Sequence, residues 1–186
     1  MGIMISIWGK GGSGKSTLAS NLACCLAKKG KLVGILGTNT TYGSLQHYFG
    51  MQITDEKSLY RAFNSYNDDD IVKNFVSYPK LRDLFVLSLA NTDDSLKIES
   101  ISNEMGKNLL LNVKDSFAFL IVDFTDSKYD ALTLLSLTYS DSVIEIMRPT
   151  VQGIAYHVAN EKLINSLKIS NKLMLVLNAN RNFLDL

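Results

Sequence analysis

Hydrophobic positions in this chain fall into short unbroken runs, separated by longer stretches in which apolar residues recur every three or four positions. The runs at residues 3–7, 32–36, 84–89, 117–122, 142–147 and 173–177 are apolar nearly throughout. That pattern predicts strands buried on both faces, as in a parallel sheet, rather than strands with one wet face. Helical periodicity predicts helices over 15–29 (ended by Gly30), 55–63, 69–75, 98–112, 129–139 and 152–167. Strand–helix alternation implies right-handed crossovers and an α/β fold: a doubly wound, mainly parallel sheet with helices on both faces. The two prolines, Pro79 and Pro149, fall between predicted elements, and no repeat or Pro/Gly-rich linker divides the chain, so residues 1–186 are expected to form a single domain. Ligands of such sheets sit at the carboxyl ends of the strands, which directs attention to the loops after Ile7, Leu36, Val122, Met147 and Leu177.

Composition narrows the picture. With 186 residues, 46% of them hydrophobic, the chain can bury a core without disulfides or metals. A formal net charge of +1 argues against a dedicated nucleic-acid binder, and Lys28, Lys29 and Lys31 read as a solvated helix end. Cys24 and Cys25 are neighbours in a helical pattern and point about 100° apart, so they are expected to be small buried hydrophobes in a reducing compartment, neither bridged nor chelating. Neither a signal peptide nor a transmembrane-length apolar run is evident, so the chain reads as soluble and cytoplasmic. The periodic stretch 94–115 reads as core packing rather than a lipid-binding face. His47 and His157 lack metal-ligand spacing and read as structural or surface residues. Asp68-Asp69-Asp70 reads as the acidic first turn of a helix, and Trp8 as cover for an edge of the sheet.

The chemistry lies in Gly9-Lys10-Gly11-Gly12-Ser13-Gly14-Lys15-Ser16, which fits G-x-x-x-x-G-K-[ST] between a predicted strand and a predicted helix. The backbone amides of Gly11, Gly12, Ser13 and Gly14 are expected to form an anion nest, reinforced by the helix N-terminus. Lys15 is placed for the β- and γ-phosphates, Ser16 for Mg²⁺ and Thr17 for the α-phosphate. Lys10 is a second lysine that such a loop does not require.

Within the loop, "KGGSGKST" resembles residue for residue the deviant Walker-A loop of the MinD/ParA family of dimerising ATPases. The resemblance implies ATP and Mg²⁺ as cofactors, and a homodimer with ATP sandwiched between subunits. It gives Lys10 a catalytic role beside Lys15, reaching into the partner subunit's nucleotide site to offset charge during phosphoryl transfer. It also implies a protein partner, with assembly state as the output. "FLIVDF" resembles the family's magnesium-site strand and implies Asp123 as a metal-shell carboxylate. "SDSVIEIMRPTVQGIAYHVANEKLI" resembles the strand–Pro–helix segment that follows, where Arg148 is a candidate dimer-face contact. "LVLNANR" resembles the adenine-reading stretch and implies Asn178 as base reader.

The departures are as informative. In "VGILGTNTTYGSL", Gly37 and Asn39 stand where the family carries two aspartates, and Thr40-Thr41 replace Pro-Gln. Asn39 occupies the position that orients the attacking water, but an amide cannot take a proton as a carboxylate can, so hydrolysis is expected to be slower by about 10²–10³-fold. "VDFTDSKYD" lacks the family's D-T-P-P, and Asp126 reads as a helix cap or loop residue. These departures fit a member that positions cellular machinery, resembling the TadZ/CpaE pilus-assembly group. The chain ends just past the base-reading stretch, so it is expected either to be a short member or to lack a C-terminal segment, through which, or through a partner, it would reach a membrane. DNA or membrane contact is not indicated by the residues themselves. The alternatives are a small-molecule phosphotransferase or ligase on the same loop, which leaves Lys10 unexplained, and a scaffold that binds ATP without hydrolysing it. An iron–sulfur protein is not expected, because both cysteines lie in a helix.

Overall fold

A computed structural model of the chain describes residues 2–65, 68–93, 102–124 and 131–179. In chain order the elements are β1 (Ile3–Trp8), α1 (Lys15–Lys28), β2 (Val33–Gly37), α2 (Ser44–Phe49), α3 (Leu59–Phe63), α4 (Asp68–Lys73), β3 (Val76–Ser77), β4 (Leu84–Leu87), α5 (Asn103–Ser116), β5 (Phe119–Asp123), α6 (Ala131–Tyr139), β6 (Ser142–Met147), α7 (Val151–Ser166) and β7 (Leu173–Leu177). The strands form one sheet in the order β3-β4-β2-β5-β1-β6-β7. Every pairing is parallel except that of the short edge strand β3 with β4.

The predicted doubly wound architecture is therefore present, and its layering follows from the apolar runs. One face of the sheet packs Met4, Trp8, Leu36, Leu120, Val122 and Val143 against apolar residues of α3, α5, α6 and α7. The other packs Ile7, Val33, Ile35, Ile121 and Ile146 against Ala19, Ala23 and Ala27 of α1 and Leu45 and Phe49 of α2. Trp8 lies in the first of these cores, 2% exposed, with its ring 5.8 Å from that of Tyr156. Strand β7 is less covered, with Met174, Leu175 and Leu177 all exposed.

Several boundaries move for identifiable reasons. The helix expected over 55–63 begins at Leu59, because the Ser58 hydroxyl accepts from the Arg61 amide and sets the cap there. The strand expected over 84–89 stops at Leu87, since the next carbonyl, of Ser88, accepts from the Leu59 amide instead of continuing the ladder. Helix α2 has no counterpart in the sequence reading: its six residues are too few for a period to show, and Gly50 ends it at a φ of 57°. Helix α5 starts at a cap in which Ser102 accepts from the Met105 amide, while residues 98–101 of the expected helix lie outside the described residues. The same is true of 129 and 130, and of Asp126.

The cysteines correct an expectation. Helix α1 meets the sheet through Ala19, Ser20, Ala23 and Ala27, so Cys25 is exposed and Cys24 only half-buried. Burial pushes the Cys24 thiol up, with Lys28 opposing it in part. Among the described residues, no helix is long and apolar enough to cross a membrane.

Candidate nucleotide site

Three strands carry the site to one level. Asp123, the last residue of β5, pairs with Ile7 of β1 on one side and Gly37 of β2 on the other, so the loops leaving β1, β2 and β5 diverge around a common point. The backbone of Asp123 ties two of them together: its carbonyl accepts from the Thr38 amide at 3.0 Å and the Thr38 hydroxyl at 3.3 Å. Its side chain is 2% exposed and lines the cleft with Ser16 and Thr17.

The loop between β1 and α1 closes on itself, with the Ser13 amide donating to the Lys10 carbonyl at 3.1 Å. Two of its glycines are required by geometry. At Gly9 a Cβ would fall 2.2 Å from the Ile146 carbonyl oxygen, and at Gly14 it would fall 2.7 Å from Asn178 Nδ2, with φ values of 138° and 103°. The first intrahelical bond of α1 runs from the Leu18 amide to the Gly14 carbonyl at 2.9 Å. The amides of Lys15, Ser16 and Thr17 thus have no intrahelical carbonyl to donate to, and an anion at the helix N-terminus would satisfy them. Ser13 Oγ is buried and has no hydrogen-bond partner among the described residues.

The two lysines of the loop line different spaces. Lys15 is 6% exposed, donates from Nζ to the Lys10 carbonyl at 3.2 Å, and lines the cleft that also holds Ser16, Thr17, Asn39 and Asp123. Lys10 instead lines an adjoining recess with Gly11, Gly12, Ser13, Arg148 and the first turn of α7. Arg148 borders both spaces. The Lys10 and Arg148 side chains form no hydrogen bond or ion pair with the described residues.

The second-strand side of the cleft is built differently. Asn39 is 5% exposed, and its Oδ1 accepts from the Thr41 amide at 2.9 Å, the Thr41 hydroxyl at 2.6 Å and the Tyr42 amide at 3.3 Å. Three donors converging on one atom identify it as the oxygen and make an Asx turn. What remains for the cleft is the Nδ2 amino group, which donates and cannot accept. At Gly37, a Cβ would come 3.0 Å from the Leu45 side chain, so any larger residue there would require Leu45 to give by a few tenths of an ångström.

Asn178 follows β7. Its amide donates to the Met147 carbonyl at 2.7 Å, and its side-chain Nδ2 donates to the Ser13 carbonyl at 2.8 Å. It therefore braces the phosphate loop, a contact no local sequence signal announces because its partners lie 165 positions apart. The arginine of the "NANR" stretch, Arg181, lies outside the described residues. Sequence reasoning also missed Thr41, Tyr42, Ser44 and Tyr48, which line the same cleft as Lys15. Tyr42 and Tyr48 are each more than half exposed. Between β6 and α7 lies a pair that was also missed: Glu145, fully buried on β6, bonds through Oε2 to His157 Nδ1 at 2.7 Å. His157 is thus a structural residue with a definite partner, and the one signal for it was a glutamate inside an apolar strand.

Comparison with known proteins agrees with this geometry. Residues 2–178 match the AAA_31 family model, described as an AAA domain. The chain is 29% identical over 122 residues to the septum site-determining protein MinD of Synechocystis, covering 65% of this chain and 44% of that protein. It is 31% identical over 150 residues to the sporulation initiation inhibitor protein Soj of Bacillus subtilis, covering 77% and 57%. Among solved structures, a ParA family ATPase from Chlorobium tepidum superposes with a TM-score of 0.78 at 20% identity, over 96% of this chain and 74% of that one. The chain spans about half the length of these curated relatives. The intact phosphate loop, the fold around it and these matches together place the chain in the MinD/ParA family of P-loop ATPases.

Proposed function

We propose that this chain binds Mg–ATP and acts as an ATP-dependent dimerisation switch in cellular positioning or partitioning, with slow hydrolysis. One observation carries the reading: Lys15 lines the chain's own nucleotide cleft whereas Lys10 lines a separate recess beside it. A lysine that lines the neighbouring recess rather than its own cleft would be available to a second subunit's phosphates.

The donor set suits the ligand. The nest amides and the partnerless Ser13 hydroxyl suit phosphate oxygens, and Lys15 supplies a positive charge. The Ser16 hydroxyl and the Asp123 carboxylate are hard oxygen ligands of the kind Mg²⁺ takes. When bound, the ion would neutralise charge on the phosphates. Asn178 is assigned here to nucleotide binding, through the loop it braces and through the base. Asn39, its oxygen held by the turn, would orient a water only by donating to it and would not remove its proton. That arrangement also favours the neighbouring reading of an ATP-binding scaffold without turnover, which differs only in rate. The departures at Gly37 and Asn39 fit a TadZ/CpaE-like role with a protein partner.

The test is solution mass by analytical ultracentrifugation without nucleotide, with Mg–ADP and with Mg–ATP, for the wild type and Lys10→Ala. A dimer that appears or tightens with Mg–ATP and is weakened in Lys10→Ala is the expected result. The same mass in every state would overturn the switch.

A further inference from the structure

Arg148 leaves β6 with a fixed root and a free tip. The Met147 carbonyl before it accepts from the Asn178 amide at 2.7 Å, and Asn178 Nδ2 donates in turn to the Ser13 carbonyl at 2.8 Å. One residue thus ties the end of β6 to the phosphate loop. The Arg148 carbonyl accepts from the Thr150 amide at 2.8 Å, and α7 packs so closely on it that a Cβ at Gly153 would fall 2.2 Å from that oxygen. A Cβ at Gly9 would meet the Ile146 carbonyl oxygen at the same 2.2 Å, so the start of the loop is pressed against β6 as well. The Arg148 backbone is therefore set against the phosphate loop, whereas its side chain is exposed and bonds to none of the described residues.

Among the described residues, Arg148 and Gly12 are the two that line both the nucleotide cleft and the recess beside it. A Cβ at Gly12 would meet nothing within 4 Å, so the boundary between the two spaces is open at that glycine. The charges of the cleft point the same way. Apart from its tyrosines, the described lining holds three ionisable side chains: Lys15, Asp123 and Arg148. Lys15 and Asp123 have opposite signs and offset each other. Arg148 is what leaves the cleft net positive, as an anionic Mg–triphosphate requires.

We infer that Arg148 contacts the terminal phosphate of the nucleotide in its own chain's cleft, and that this contact makes the chain prefer ATP to ADP. The inference rests on the Mg–ATP reading above and adds the residue that would tell a triphosphate from a diphosphate. Position selects the terminal phosphate. The unsatisfied amides of Lys15, Ser16 and Thr17 lie at the start of α1 and suit the inner phosphates, whereas Arg148 enters from β6 on the side of Gly12 and the recess. Chemistry suits it too, because the planar fork of a guanidinium can donate to two oxygens of one phosphate at once.

Binding of Mg–ADP and of Mg–AMPPNP, a triphosphate analogue that resists hydrolysis, tests this on the full chain. Each competes with a fluorescent ADP at protein concentrations where sedimentation shows monomer, for the wild type, Arg148→Gln and Arg148→Lys, with a thermal melt of each protein. Arg148→Gln is expected to weaken Mg–AMPPNP about tenfold and to leave Mg–ADP within about twofold of wild type. Arg148→Lys keeps the charge and loses the fork, so it is expected to recover part of that loss. Melting is expected to stay at the wild-type value, because the side chain is exposed; should the glutamine disturb folding, a reduced preference for Mg–AMPPNP over Mg–ADP in Arg148→Lys carries the test. Equal losses for both nucleotides, or none for either, would overturn the contact and leave Mg–ATP binding standing. A loss seen only at concentrations where the wild type dimerises would assign the guanidinium to another copy's phosphates and overturn it too. A wild type that binds neither nucleotide would overturn the Mg–ATP reading and this inference with it.

Discussion

The two walls of the nucleotide cleft are built on opposite principles. On the β1–α1 side the helix-start amides have no intrahelical acceptor and the Ser13 hydroxyl has no partner among the described residues, while the buried Lys15 is held by the Lys10 carbonyl. On the β2 side the group in the position that matters has been consumed by the fold, because Asn39 spends its oxygen on Thr41 and Tyr42. The first wall offers donors that suit an anion, while the second holds its Asn39 oxygen in a turn and would have no proton acceptor to offer there. On the proposed reading, binding and turnover would be separable, with the residues that govern each leaving different strands.

The largest perturbation should come from breaking the binding wall. Lys15→Ala is expected to lower Mg–ATP affinity by about 100-fold, the size of a lost charge-assisted contact, read by titration calorimetry. If affinity survived, the complementarity claimed for that wall would be wrong. A smaller effect should follow from Asn178→Ala, which removes the brace on the Ser13 carbonyl. If bracing dominates, ATP and GTP should both weaken, by about three- to tenfold. If Asn178 chiefly reads the base, ATP alone should weaken and its advantage over GTP should collapse.

The smallest effect sharpens the comparison by leaving both walls intact. Just before the start of β6, away from the cleft, Asp141 accepts from the Met4 amide at 2.8 Å and from Lys114 Nζ at 2.9 Å. Burial raises the Asp141 carboxyl, but the Lys114 hydrogen bond, the Met4 amide and the charges of Lys114 and Lys172 outweigh it and hold the group below its ordinary value. A depressed carboxylate stabilises the fold fully above the ordinary Asp value of about 4 and loses that contribution as pH falls through the folded value. Its side chain is 46% exposed, so solvent screens the pair. Asp141→Asn is therefore expected to cost about 1 kcal/mol at neutral pH, largely from Lys114 left buried without its carboxylate. It should also flatten the acid limb of urea midpoints measured against pH, with nucleotide affinity unchanged.

Much of this was legible in the chain. The phosphate loop is contiguous, and its strand and helix context is local, so Gly9 to Thr17 could be placed without coordinates. Asp123 was legible because an apolar run has to end where the sheet ends. That Asn39 is an amide rather than an acid was visible as a residue type, but the turn that captures its oxygen was not, since it depends on the backbone of Thr41 and Tyr42 folding back. Leu45 crowding Gly37, Asn178 bracing Ser13 and His157 pairing with Glu145 are all long-range contacts that only tertiary packing creates. Helix α2 escaped because six residues give too little period to recognise.

Single-turnover hydrolysis of saturating Mg–ATP, wild type against Asn39→Asp, tests the central claim most directly. In the variant one carboxylate oxygen would cap the turn as the amide oxygen does, leaving the other as the proton acceptor that an amide cannot supply. Wild-type turnover is expected to be slow and to rise by about 10²-fold in Asn39→Asp, with ATP affinity nearly unchanged. Fast hydrolysis by the wild type, with no gain in the variant, would contradict that claim and place the proton acceptor elsewhere in the cleft.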